Sequence, residues 1–373
     1  MKITHALPRP LQQVNRTCVR LGRTNLSYFG GCDYFRLSSH PLILKALQDG
    51  SKKYGLTVAA SRSTTGNHQL YELLEARLAK FFGAAAAVLC SNGYLSNLAV
   101  AQALAGMHSH ALIDERAHSS LVDAALFLDC PIMRFKHRDA GDAARVLQRI
   151  GPGAKPILLT DGMFSHDGSI APLKAFLKSL PRDGVVLLDD AHGAGVLGKT
   201  GKGSVEEAGV GRSRVIQTIA LSKAFGVYGG AILCGEDLRQ KVQAKSRVFH
   251  GNTPVPLPIA SAALAAVALL SSRKALRIRL FRNIERVRIA FRKMGYHSTE
   301  NSSPIIQLLL RHPGQLASLK QILIANGVFP SFIKYPGGPA NGYFRFAISS
   351  EHSPAQINAL LKAFREIGAS CFL

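Results

Sequence analysis

The segment Ala220-Leu221-Ser222-Lys223-Ala224-Phe225-Gly226 sets a lysine beyond an apolar run that includes Val215-Ile216 and ahead of Gly229-Gly230. It begins 31 residues after Asp189 of Asp189-Asp190-Ala191-His192, which closes a second apolar run, Val185-Val186-Leu187-Leu188. A loop lysine can form a Schiff base with an aldehyde and, once displaced, carry a proton. A carboxylate at the end of a buried strand is costly unless it is paired. Facing a ring nitrogen, it would hold that nitrogen protonated and make the ring a sink for a carbanion's electrons. Asp190 competes with Asp189 for this role and could equally be a capping residue.

Two more groups suit the same chemistry. Ser91-Asn92-Gly93-Tyr94 follows one apolar run and precedes a helical pattern. Backbone N–H groups at a helix start bind phosphate, and glycine permits close approach. Arg345, in Tyr343-Phe344-Arg345-Phe346, carries a planar guanidinium that can take both oxygens of a carboxylate.

These residues need a frame. Short aliphatic runs at 86–90, 111–114, 157–160, 185–189, 215–220 and 231–234 read as strands. Apolar positions at helical spacing between them mark helices at 71–82, 94–105 and 173–180. The alternation predicts a mostly parallel sheet between helix layers. A basic stretch from Ser272 to Lys293 reads as a long connecting helix. Strand, helix and strand follow at 305–311, 316–326 and 343–348, with a last helix at 354–367. The first forty or so residues are Arg-rich and irregular, and are expected to pack beside this C-terminal part. The expected division is an N-terminal segment (1–40), a large domain (41–270) and a small α+β domain (271–373).

With 373 residues, 47% of them hydrophobic and 18% charged, the chain can build a sizeable core and is not a disordered one. No apolar run reaches the roughly 18 residues a membrane span needs. The N-terminus lacks a signal-peptide layout, which points to a cytoplasmic protein. Six scattered cysteines without a CxxC pair argue against a disulfide framework or zinc site, so no metal is expected. The formal charge of +23 suits a polyanion such as acyl-CoA or an acidic carrier protein. The basic residues are dispersed, however, and nucleic acid is not the expected partner.

Taken together, these segments resemble the α-oxoamine synthase family of fold-type I pyridoxal 5′-phosphate (PLP) enzymes, over roughly residues 30 to 370. Asp161-Gly162-Met163-Phe164-Ser165-His166-Asp167-Gly168 matches the family form (Glu/Asp)-Gly-x-Phe-Ser-x-Asp-Gly. The stretch Ser61-Arg62-Ser63-Thr64-Thr65-Gly66-Asn67 through Leu74-Glu75 matches the approach to the family's first core helix. The resemblance implies that Lys223 binds PLP as a Schiff base and that Asp189 faces the pyridine nitrogen. His118 would stack on the ring and His192 lie near its phenolic oxygen. Asp161 and Ser165 would line the cofactor site, with Ser91, Gly93 and Tyr94 on the phosphate side. Ser222 and Thr253, the latter across a subunit interface, are further phosphate candidates. Arg345 would hold the substrate carboxylate with Cys32 beside it.

The implied reaction condenses a small amino acid, L-alanine in first place, with an acyl thioester, pimeloyl-CoA or a pimeloyl carrier protein. Carbon dioxide and the free thiol leave, and the enzyme is a homodimer. The same scaffold also serves glycine or serine acyltransferases. An aminotransferase and a non-catalytic homologue remain open as well.

Three places depart from the family pattern. Cys32 stands where Asn usually precedes the Asp-Tyr dipeptide, Ala220 where a phosphate-binding Thr is common, and His137-Arg138-Asp139 where His-Asn-Asp is usual. A thiol is a weak hydrogen-bonding partner, so substrate anchoring is expected to rest more on Arg345. The missing Thr would cost about 1.5–3 kcal/mol of cofactor binding unless other contacts offset it.

Overall fold

The structure, a computed structural model, describes residues 10–296, 301–334 and 339–373. Its centre is a seven-stranded sheet in the order β4-β10-β9-β8-β7-β5-β6. The strands are β4 Ala86–Cys90, β5 His110–Asp114, β6 Ile132–Phe135, β7 Pro156–Asp161, β8 Val185–Asp189, β9 Val215–Ala220 and β10 Gly230–Cys234. β9, β8, β7, β5 and β6 pair in parallel, while β10 runs antiparallel to both β9 and β4. The sheet is therefore mixed. β4 and the five parallel strands all end at one edge. Strands buried on both faces need aliphatic side chains throughout, and β4, β7 and β10 are buried at every position.

Helices cover both faces. The Gln69–Phe82 helix is followed by Gly83 in the left-handed region, and the Gly93–Ala103 helix is capped by the Asn92 side chain on Leu95 N–H. A buried ion pair between Arg62 and Glu75 (2.5 Å) ties the stretch ahead of the first of these helices to its body. Glu75 also accepts the Leu89 N–H (2.7 Å), which fixes β4 against it. The basic stretch forms one long helix, Lys274–Lys293, which follows the apolar Leu257–Ser272 helix after a bend of 73° at Arg273. No single described helix is long and apolar enough to cross a membrane.

A second, antiparallel sheet in the order β11-β13-β12 forms the C-terminal part from β11 Ile305–Leu309, β12 Phe332–Ile333 and β13 Tyr343–Ala347. The Pro354–Ile367 helix packs on it through Phe364, whose ring lies 5.3 Å from Phe346.

The N-terminal segment corrects the sequence reading. Instead of being irregular, it forms a three-stranded antiparallel sheet from β1 Gln12–Asn15, β2 Cys18–Leu21 and β3 Thr24–Ser27. Its strands are four residues long and largely exposed, so they lack the alternating apolar pattern that reveals a strand. Ser27 bonds to Gly327 and Phe329, which docks this sheet on the C-terminal part. β6, with its exposed Ile132, and two-residue β12 are likewise absent from the sequence reading.

Candidate active site

Parallel sheets bind ligands beyond the carboxyl ends of their strands. At that edge a cavity of about 200 Å³ is lined by Gly93, Tyr94, His118, Asp161, Asp189, His192, Ser222 and Lys223, with Asn92, Ser120, Ala191 and Ala220. Eight of the predicted residues thus meet around one cavity, although they come from five separate stretches of the chain.

Lys223 reaches it from the turn after β9. Gly226, three residues on, has φ +67°, and a Cβ there would lie 2.4 Å from the Ser38 nitrogen. Only glycine lets this turn pack so closely on the 37–38 backbone. Gly93 opens the helix opposite, where a Cβ would come within 2.8 Å of the Ala220 Cβ. The helix start and the end of β9 are therefore in close approach, and the first N–H groups of that helix face an anion's place. Ala220, where a threonine was expected to bind phosphate, is the surface against which Gly93 packs.

The two acids of the β8 terminus part company. Asp189 lies in register with Asp161 on β7 and Thr218 on β9. It accepts hydrogen bonds from Asn97 Nδ2 (2.7 Å), Ser120 Oγ (3.3 Å) and the Ala191 N–H (3.1 Å). Asp190 is fully buried and turned to the Ser204 N–H (2.8 Å), Ser204 Oγ (2.5 Å) and Gln217 Nε2 (2.5 Å). Burial pushes its carboxyl up to about 7 against the pull of these donors. Asp161, beside Asp189, is raised well above the usual range by burial and by the Asp189 charge. One of its oxygens accepts the His118 N–H (2.9 Å), and this sets the backbone of the His118 loop.

His118 Nδ1 meets Ser120 Oγ (2.7 Å), and its ring stands edge-on to Tyr94 at 6.2 Å. His192 Nδ1 meets the Tyr34 hydroxyl (2.7 Å). Burial and then the nearby Lys223 and Arg345 charges hold the His192 pKa well below the ordinary imidazole value, so its ring is neutral.

The other predicted residues lie beside the cavity. Ser91 Oγ donates to the Thr253 carbonyl (2.9 Å) and accepts from Asn252 (2.9 Å). Arg345, 6% exposed, comes from β13. Its Nε donates to the Ser165 carbonyl (2.6 Å), its Nη1 to the Gly31 carbonyl (3.3 Å) and its Nη2 to Cys32 Sγ (3.5 Å). Ser165 thus meets Arg345 through its backbone, while its hydroxyl faces His166. Arg138 has φ +57°, a conformation asparagine adopts more readily than arginine, which explains the usual Asn there.

Asn97 and Ser120 escaped the sequence reading. Asn97 is fully buried and joins Asp189 to Thr218, whose hydroxyl donates to Asn97 Oδ1 (2.6 Å). The available signal was an asparagine one turn after Gly93 in a mostly apolar helix. Tyr34, fully buried on His192, was known only as part of the Asp-Tyr dipeptide.

This edge, with a lysine opposite a buried carboxylate and a helix start between them, is that of a fold-type I site. Residues 31–364 match the model of the aminotransferase class I and II family, and the chain belongs to that family. The 8-amino-7-oxononanoate synthase of Thioalkalivibrio sulfidiphilus is 34% identical over 334 residues, 89% of this chain and 85% of that protein. A structure of serine palmitoyltransferase solved with PLP superposes with a TM-score of 0.89 at 26% identity, covering 96% of this chain and 92% of the other. The 8-amino-7-oxononanoate synthase of Francisella tularensis superposes with a TM-score of 0.77 at 27% identity, covering 91% and 96%.

Proposed function

We propose that the protein is a PLP-dependent acyltransferase that condenses L-alanine with a pimeloyl thioester, releasing carbon dioxide and the free thiol carrier. The observation that carries this reading is the meeting of Lys223, Asp189 and the Gly93 helix start around one cavity, in a chain similar along almost its whole length to 8-amino-7-oxononanoate synthases. The cavity suits PLP at three points. An anionic group fits the Gly93 helix start, a protonated ring nitrogen fits Asp189, and an aldehyde fits Lys223.

When bound, PLP supplies an aldehyde carbon for the amino group and a protonated ring that stores the electrons left by loss of the α-proton. The protein does the rest. Lys223 Nζ holds the cofactor at rest and, once displaced by the amino acid, moves the proton at its α-carbon. Asp189, oriented by Asn97, Ser120 and the Ala191 N–H, would hold the proton on the ring nitrogen. His118 would cover one ring face. His192, neutral and anchored by Tyr34, offers Nε2 to the phenolic oxygen when Tyr34 donates to Nδ1. Arg345 receives the amino acid carboxylate beside Cys32. Gly93, Tyr94, Ser222, Ser91 and, from a second subunit, Thr253 serve the phosphate side. The enzyme works as a homodimer in the cytoplasm.

The TM-score of 0.89 against serine palmitoyltransferase favours a second reading with L-serine and a long-chain acyl thioester. Visible absorption of the holoenzyme with L-alanine, glycine and L-serine in turn, followed by thiol release from pimeloyl-CoA, a pimeloyl carrier protein and palmitoyl-CoA, decides between them. L-alanine with a pimeloyl donor supports the proposal. L-serine with palmitoyl-CoA would replace it, and no turnover with any pair would refute both.

A further inference from the structure

Cys32 holds an unusual place. Its Sγ lies 3.5 Å from Arg345 Nη2, while the Ser165 carbonyl holds Nε and the Gly31 carbonyl holds Nη1. The groups around it are cationic or neutral. Arg345 faces it from β13, Lys223 from the turn after β9, and Tyr34 from its own segment. Tyr28 and Arg36 complete the surroundings. The adjacent acid, Asp33, is spent on the Leu37 and Ser38 N–H groups (2.9 Å each).

We propose that Cys32 is a positioning residue that links amino acid binding to a proton: as a thiol it leaves the Nη2 edge of Arg345 to the substrate carboxylate, and as a thiolate it occupies that edge itself. The inference rests on the reading of Arg345 as the carboxylate site. A thiolate and a carboxylate on one guanidinium repel each other, so binding the carboxylate favours the protonated thiol and draws one proton from solvent. Burial opposes ionisation of Cys32, but the Arg345 charge and its hydrogen bond outweigh it and hold the thiol below its ordinary value. By linkage, amino acid affinity is full below the thiol pKa of the free enzyme and falls above it, at a limiting slope of about tenfold per pH unit.

The test uses the holoenzyme and the dissociation constants of L-alanine and ethylamine, followed by visible absorption from roughly pH 6 to 9. Ethylamine is L-alanine without its carboxylate. Titrations of the amine and of the cofactor are common to wild type and variants, so the ratio between proteins isolates Cys32. For L-alanine, wild type is expected to weaken relative to Cys32→Ser by up to about tenfold per pH unit on the alkaline side. For ethylamine the ratio stays flat. Cys32→Ala, which cannot ionise either, must behave as Cys32→Ser does. A flat ratio for L-alanine overturns the proposal. If Arg345→Gln weakens L-alanine and ethylamine equally, the carboxylate site is elsewhere and the underlying reading fails instead.

Discussion

Replacing Asp189 and Asp190 by asparagine, one at a time, sets two adjacent buried acids against each other. At Asp190 the new amide oxygen can keep both the Ser204 N–H and Gln217, while its NH₂ meets Ser204 Oγ, a hydroxyl that accepts as well as donates. The change removes a buried charge and leaves the network intact. We expect a stability change within about 1 kcal/mol and kcat/KM within about threefold of wild type. Asp189 offers no such exchange. An NH₂ toward Asn97 would meet another NH₂, and Asn97 can turn round only if the Thr218 hydroxyl gives up its bond to Asn97 (2.6 Å) for the distant Leu188 carbonyl (3.4 Å). Turned the other way, the NH₂ faces the Ala191 N–H. Either orientation loses a hydrogen bond, at about 1–3 kcal/mol of stability. The larger loss is electrostatic, since no negative charge then holds the ring-nitrogen proton. Removing one such preorganised group costs about 10²- to 10³-fold in kcat. Thiol release from the acyl thioester gives kcat, and thermal unfolding of both variants checks that each is folded. Near wild-type turnover in Asp189→Asn, or a collapse confined to Asp190→Asn, would refute the reasoning.

Lys223→Ala should abolish thioester turnover and let gel filtration strip a cofactor that the wild type retains. Gly93→Ala brings a Cβ within 2.8 Å of the Ala220 Cβ, so the helix start must shift. Overpacking of this kind costs about 1–3 kcal/mol, and we expect PLP affinity, measured by reconstitution of the apoenzyme, to drop at least about tenfold. His352 gives a prediction for stability. Its Nδ1 accepts the Ser349 N–H (3.0 Å) and its Nε2 meets the Tyr28 carbonyl (3.0 Å), a pattern suited to the neutral ring. Burial, and then Arg36, lower its pKa to about 3. Below roughly pH 6.5 the unfolded chain binds a proton that the folded one refuses. The contribution is therefore fully present above that pH and is lost as the pH falls toward 3. Between about pH 6.5 and 4.5 the wild type should lose roughly 2–3 kcal/mol through this group, and denaturant unfolding of His352→Gln should lack that part of the slope.

The lysine turn, the acid pair and the strands that carry them were legible because each is a local pattern. An aliphatic run ending in a charge, or a glycine after a loop, can be read without knowing what lies across the sheet. The small exposed strands β1–β3 had no such pattern, since their pairing rests on turns and on docking against Gly327 and Phe329. The Cys32–Arg345 contact joins residues 313 positions apart, and the Asn97–Asp189 bond joins residues 92 apart. Neither leaves a mark in spacing. The choice between Asp189 and Asp190 shows where local reading stops. Successive residues of a strand point to opposite faces, so one acid must face the Asn97 helix and the other the Ser204 turn. On a strand exposed on one side, the apolar alternation would have said which. β8 is buried on both faces from Val186 onward, so its alternation is silent. The face that holds the site is set by what packs there. Asn97 and Ser120 present donors to Asp189 beside an open cavity, whereas Ser204 and Gln217 close over Asp190 and leave it no room for a ligand.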